Sequence, residues 1–166
     1  MSLDFFNNDC KENSKRNEIF GLCDKENGEK AYSDNSNPDD WVATVKNNNC
    51  KEITFTPIDN CLELLKPDSK DKESTCDGML TFENSIYLVE LKVQRPGGWL
   101  QDAIQQLKNT ITLINKNQEI NFKYKKAFAC NRKHPYFTTI DNELSKRFFE
   151  ETGGFRIDAQ AEIVIK

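Results

Sequence analysis

Asp77 and the triplet Glu90-Leu91-Lys92 are the residues of this chain whose types and spacing point to chemistry. They lie in Cys76-Asp77-Gly78-Met79-Leu80 and in Ser85-Ile86-Tyr87-Leu88-Val89-Glu90-Leu91-Lys92-Val93, two strand-like segments joined at the polar pair Glu83-Asn84. Side chains alternate between the faces of a strand, so Glu90 and Lys92 share one face while Val89, Leu91 and Val93 share the other. Two carboxylates can hold a divalent cation through oxygen ligands. A lysine beside them can orient a water or steady negative charge as a phosphodiester is cut. The competing reading is an ion-paired solvent face of an edge strand, because charged pairs on antiparallel strands are common.

Other elements must position these groups. Residues 52–56 alternate and read as a strand, and residues 60–65 as a helical turn or short helix ended by Pro67-Asp68-Ser69. Residues 76–82 and 85–93 form a hairpin. After the turn Gln94-Arg95-Pro96-Gly97-Gly98, Leu100, Ile104, Leu107, Ile111 and Ile114 recur at helical spacing, with Ala103 beside them. Residues 123–130 are the next strand, and a strand–helix–strand run of this kind makes a right-handed parallel crossover. A second helix is expected over 137–150, starting near Thr138 or Thr139 and ending before Gly153-Gly154. Residues 155–165 close as one strand. Upstream, short helices are expected at 14–23 and from Trp41 through Val45, capped by Asp39 or Asp40. The fold class is α/β (α+β): one domain with a mixed central β-sheet flanked by helices. Residues 1–50 are a polar N-terminal elaboration, and residues 51–166 the core with a C-terminal helix–strand extension.

The acid, then the Glu-x-Lys, then a helix resembles the PD-(D/E)xK nuclease superfamily, whose fold is restriction-endonuclease-like. Asp77 matches the first acid, Glu90 the second and Lys92 the lysine. Some branches of that superfamily carry a glutamine on the following helix. Gln106 in Ala103-Ile104-Gln105-Gln106-Leu107 is the better match, with Gln105 the other candidate. Cys76 stands where the superfamily often has proline, and Thr110 where it often has an aromatic residue. The resemblance covers residues 52–131. It implies hydrolysis of nucleic acid, DNA ahead of RNA, with Mg²⁺ or Mn²⁺ held by Asp77, Glu90 and the carbonyl of Leu91. It also implies an extra acid from upstream, for which Glu63 is the candidate. Lys92 and Arg95 are the expected substrate contacts. Lys123, Lys125, Lys126, Arg132 and Lys133 are further candidates to flank the site and hold phosphates.

Composition narrows the classes. The chain has 166 residues, 37% hydrophobic and 30% charged, enough for one domain with a core of its own. No apolar run reaches bilayer length, and Met1-Ser2-Leu3-Asp4-Phe5-Phe6 lacks the basic and apolar regions of a signal peptide, so a cytoplasmic protein is expected. The cysteines at 10, 23, 50, 61, 76 and 130 form no C-x-x-C pair and the sole histidine is His134, which argues against zinc and for reduced thiols. Net charge is -4: residues 1–75 hold 10 basic and 16 acidic residues, residues 76–166 hold 13 and 11. Net acidity works against tight non-specific DNA binding, which rests on phosphate neutralisation. It favours an alternative: a non-catalytic immunity-type protein of the same fold whose acidic half docks on and neutralises a basic toxin partner. A third alternative is a DNA-binding accessory subunit that does not cut. Trp41 and Trp99 are expected to pack rather than to stack on bases.

Overall fold

A computed structural model of the chain describes residues 3–93, 97–133 and 139–166. Its strands are β1 (Ile19–Cys23), β2 (Tyr32–Asp34), β3 (Ala43–Lys46), β4 (Thr54–Pro57), β5 (Gly78–Phe82), β6 (Ser85–Lys92), β7 (Tyr124–Asn131), β8 (Arg156–Ala159) and β9 (Glu162–Val164). Its α-helices are α1 (Trp99–Asn117) and α2 (Asn142–Glu151). The strands build two mixed sheets, of order β4-β5-β6-β7-β8 and β2-β1-β3-β9. In the first, β4, β5 and β6 form an antiparallel meander, while β7 and β8 join parallel to β6. The fold class is therefore α+β, as expected.

β6 lies at the centre because its sequence suits no other place. Seven of its eight residues are buried, which a strand covered on both faces requires. Ile86 and Leu88 face α1, whose inward stripe is Trp99, Ala103, Ile104, Leu107, Ile111 and Ile114. Tyr87, Val89 and Leu91 face the smaller sheet, packing with Phe20, Leu22, Val45 and Ile163. The molecule is thus layered: helices, five-stranded sheet, four-stranded sheet.

The N-terminal third supplies most of the second sheet, and several local expectations are corrected there. The segment expected as a helix at 14–23 contains β1, which pairs antiparallel with β3. A short apolar run such as Ile19-Phe20-Gly21-Leu22 has no decisive period, and its strand partner is remote in sequence. The expected Trp41–Val45 helix is a 3₁₀ turn at Pro38–Asp40 followed by β3. Residues 60–65 hold no helix: a turn at Asn60 and Cys61 runs into irregular backbone, and Leu65 forms an isolated bridge with Lys72. Residues 155–165 are two strands, not one. β8 ends the large sheet, and after Gln160 and Ala161 β9 joins the small one beside β3. α2 starts at Asn142, capped by Asp141, whose carboxylate accepts from the amides of Glu143 and Leu144. Thr138 lies outside the described residues.

The cysteine expectation is corrected at one pair, since Cys10 and Cys61 are bridged. Cys23, Cys50, Cys76 and Cys130 are free. The bridge secures an N-terminal strap. Phe5 is fully buried under α1, the amide of Glu12 donates to the carbonyl of Phe55 (3.0 Å), and Lys15 pairs with Ile53. The strap thereby covers the outer edge of β4, which would otherwise present unpaired backbone groups. Among the described residues no helix is long and apolar enough to cross a membrane.

Candidate metal centre

The pairing of β5 with β6 ends at Gly78 opposite Val89. Two side chain–backbone bonds replace the next rungs. The amide of Asp77 donates to Glu90 Oε1 (3.1 Å), and the amide of Leu91 donates to Asp77 Oδ2 (2.7 Å). The two carboxyl groups are held side by side by the backbone of the segment opposite. Lys92 completes the row two residues on, with its Nζ 3.1 Å from Glu90 Oε2. That Nζ also donates to Gln106 Oε1 (2.7 Å), and Gln106 Nε2 lies 3.4 Å from the carbonyl of Thr75. Strand alternation puts Glu90 and Lys92 on the α1 face with Ile86 and Leu88, and α1 brings Gln106 down on them.

The competing reading of an ion-paired solvent face is corrected by burial. Glu90 is 3% exposed and Asp77 7%, on a central strand rather than an edge. Burial pushes the Asp77 carboxyl well above the usual carboxylate range, with the charge of Glu90 adding to it. Burial likewise pushes Glu90 up to about 7, with Lys92 pulling the other way. Like charges forced together out of water cannot both ionise freely. Asp59 raises Glu90 further, and Asp24 raises Asp77.

This donor set fits a hard divalent cation. Two carboxylates and one ammonium leave a negative site once both acids ionise, and their oxygens are hard ligands. The carbonyl of Lys92 accepts from Arg132 on the β7 side. Alternation therefore turns the backbone groups of Leu91 to the opposite edge, past the end of β5, where its amide meets Asp77. Its carbonyl leaves on that same edge and is the third oxygen available. Among the described residues no cluster of three or more His, Cys, Asp or Glu side chains is arranged to hold a metal. Magnesium, which keeps several waters, does not need one.

The remaining sequence candidates divide. Gln106 joins the site and Gln105 is exposed. Glu63 is exposed in irregular backbone, not on a helix, and is not brought to the pair. Asp59 is the upstream acid whose charge reaches Glu90. Ile58 and Asp59 donate backbone bonds to the carbonyls of Asp77 (2.8 Å) and Cys76 (3.2 Å), and Asp59 pairs with Lys72 at 2.8 Å. Its sequence signal was an acid just beyond the end of β4, a cue that a long intervening loop hides. Arg95 and His134 lie outside the described residues. Lys123, Lys125 and Lys126 do not flank the acids. They sit at the start of β7 and just before it, and Lys125 and Lys126 pair with Ile86 and Tyr87 near the other end of β6. The Arg132 guanidinium donates to the carbonyl of Asp39.

The two departures from the resembled pattern have structural roles. Cys76 is fully buried and its amide donates to Thr110 Oγ1 (2.7 Å). Thr110, itself fully buried, bonds back to the carbonyl of Gln106 (2.8 Å). One hydroxyl therefore ties the strand entering Asp77 to the helix carrying Gln106. The tryptophans pack as expected: Trp99 turns into the core from the first turn of α1, and Trp41 lies over Gly21 with its indole N–H on Asp34 (2.9 Å).

Gly78 sets how closely the strand after Asp77 can approach β4. A Cβ there would lie 2.5 Å from the Phe55 ring and 3.0 Å from the carbonyl of Thr56. Gly78→Ala is expected to cost about 1–3 kcal/mol by overpacking, read by urea unfolding. It should also weaken cation binding by shifting Asp77. Unchanged stability would show that Phe55 yields freely and that Gly78 does not set this spacing.

Compared with protein-family models, with curated proteins and with solved structures, the chain matches none.

Proposed function

We propose that this chain is a Mg²⁺- or Mn²⁺-dependent nuclease that hydrolyses phosphodiester bonds in nucleic acid. The observation that carries the reading is the convergence of two buried carboxyls, Asp77 and Glu90, with Lys92 at 3.1 Å and Gln106 holding that lysine. The meander, the α1 crossover and the parallel β7 support a restriction-endonuclease-like core, the frame in which the resemblance expects such a set.

Asp77, Glu90 and the carbonyl of Leu91 would hold the cation. Bound there, it supplies Lewis-acid stabilisation of phosphoryl charge and lowers the pKa of water. Lys92 does the positioning. Two of its partners are fixed protein oxygens, Glu90 Oε2 and Gln106 Oε1, which leaves a further N–H to orient a water or steady a phosphate oxygen. Gln106 keeps the ammonium from collapsing fully onto Glu90. The near-complete burial of the acids excludes bulk water and strengthens each of these interactions. The reading includes a cytoplasmic location, with which the Cys10–Cys61 bridge is at odds.

The test is cleavage of plasmid and of labelled single- and double-stranded DNA and RNA, with and without Mg²⁺ or Mn²⁺. Activity should require the cation and fall about a hundred- to a thousandfold in Asp77→Asn and Lys92→Ala, as loss of electrostatic stabilisation at a reacting centre implies. No cleavage of any substrate, together with a basic partner protein retained equally by wild type and Asp77→Ala, would replace this reading by the toxin-neutralising one.

A further inference from the structure

Parallel pairing sets Tyr87, Lys126 and Arg156 side by side on β6, β7 and β8. The row lies on the sheet face opposite Glu90, since Val89 and Phe128 on the same strands belong to the core beneath the small sheet. Two cavities meet at this row and both are lined by Lys126. One, of about 480 Å³, is bounded also by Lys51, Tyr87, Tyr124 and Lys166. The other, of about 430 Å³, is bounded by Lys146, Phe149 and Arg156. Glu83 and Asp158 are the acids that line them. Lys51 pairs with Glu83 at 3.4 Å, while Lys126, Lys146, Arg156 and Lys166 make no ion pair among the described residues. A chain of net charge -4 thus gathers unpaired cations on one band.

The band also carries exposed aromatic rings. Tyr124 and Phe149 are 55% and 40% exposed, the only large aromatic side chains so exposed among the described residues. Tyr124 lines the first cavity and Phe149 the second. Lys123 lies 5.3 Å from the Tyr124 ring centre and Arg156 5.2 Å from that of Phe149. Lys126 lines both cavities, one carrying each ring, so a ligand with both negative charge and flat faces would meet cations and rings together.

We infer that this band binds single-stranded nucleic acid, with phosphates on Lys126, Lys146 and Arg156 and bases stacked on Tyr124 and Phe149. Aromatic platforms along a cationic groove are the general solution for single strands, because every unpaired base offers a π face. A duplex hides those faces, and a simple polyanion has none. The band is separate from the carboxylate site, so the inference goes beyond the hydrolytic reading and stands whether or not that reading holds.

The experiment is fluorescence anisotropy with a fluorescein-labelled dodecathymidylate in EDTA, where metal-dependent cleavage plays no part. Binding is expected to weaken with salt at a log–log slope of about -2, as for three phosphate contacts on a single strand. Tyr124→Ala and Phe149→Ala should each weaken it about tenfold. The double variant Lys146→Glu/Arg156→Gln should weaken it tenfold or more and flatten the slope. These positions are exposed, and thermal melting confirms that each variant folds. The inference is overturned by absence of binding at 50 mM salt, by equal affinity for duplex, or by equal affinity for inorganic polyphosphate with the aromatic variants silent. Equal affinity for poly-glutamate would assign the band to an acidic protein and overturn it as well.

Discussion

Glu90→Gln is expected to abolish divalent-cation binding while making the metal-free protein less sensitive to pH. Glu90 is held at about 7 against an ordinary value of 4.5, chiefly by burial. The folded protein therefore keeps a proton that the unfolded chain releases above pH 4.5. By linkage, this group's contribution is fully present below about 4.5 and is lost as pH rises through about 7. The shift corresponds to roughly 3 kcal/mol, and Asp77 is displaced in the same direction. Metal-free wild type should thus lose stability between pH 5 and 8, and Mg²⁺ or Mn²⁺ should restore it at pH 8. At a hundred times the dissociation constant the gain is about 2.7 kcal/mol, or roughly 5–10 °C in melting temperature for a chain of this size. Glu90→Gln has no charge to release, so its stability should vary less with pH and its melting temperature should not respond to the cation. Calorimetric titration of both proteins with Mn²⁺ at pH 8 reads the binding directly. Undiminished Mn²⁺ binding by the variant would remove Glu90 from the donor set.

Lys92→Ala is the second large effect, and its size should depend on pH. Lys92 is 13% exposed at the side chain and neutralises a carboxylate that is 3% exposed. Removing one partner of a buried pair leaves the other charge uncompensated, at a cost of about 3–5 kcal/mol. That cost applies only while Glu90 is ionised. At pH 5, where Glu90 is protonated, the variant should lose far less, about 1 kcal/mol, the ordinary value of a lost hydrogen bond to Gln106. Urea unfolding at pH 5 and pH 8 measures the difference. An equal loss at the two values would mean that Lys92 stabilises through its aliphatic stem rather than its charge. Cleavage should be lost at both values, because the ammonium that orients the reacting groups is gone.

Much of the site was legible because its signals are local. Alternation placed Glu90 and Lys92 on one face, the Glu83-Asn84 turn placed the segment of Asp77 beside theirs, a regular apolar period marked α1, and the nuclease resemblance singled out Gln106 on it. Asp59 and the two-sheet core were not legible for the opposite reason. Asp59 reaches Glu90 through a loop that folds residues 58 and 59 back on residues 76 and 77. β1 and β3 are short strands stabilised by each other and by β9, the last strand of the chain. Glu63 was preferred on an expected helix that is not present. The Cys10–Cys61 bridge spans 51 residues, a distance at which sequence spacing carries no pairing information.

Residue order alone determined that an acid at the foot of one strand and a Glu-x-Lys on its neighbour would stand ahead of an amphipathic helix and a parallel strand, because these follow from periods of two and 3.6 residues and from short turns. Only the tertiary structure decided that the two carboxyls are buried against each other, that Gln106 rather than Gln105 meets the lysine, and that Lys125 and Lys126 lie toward the other end of β6 from the acids. Those outcomes depend on which layers cover a strand and on contacts between segments far apart in the chain, and desolvation is a property of the packed molecule rather than of any residue within it.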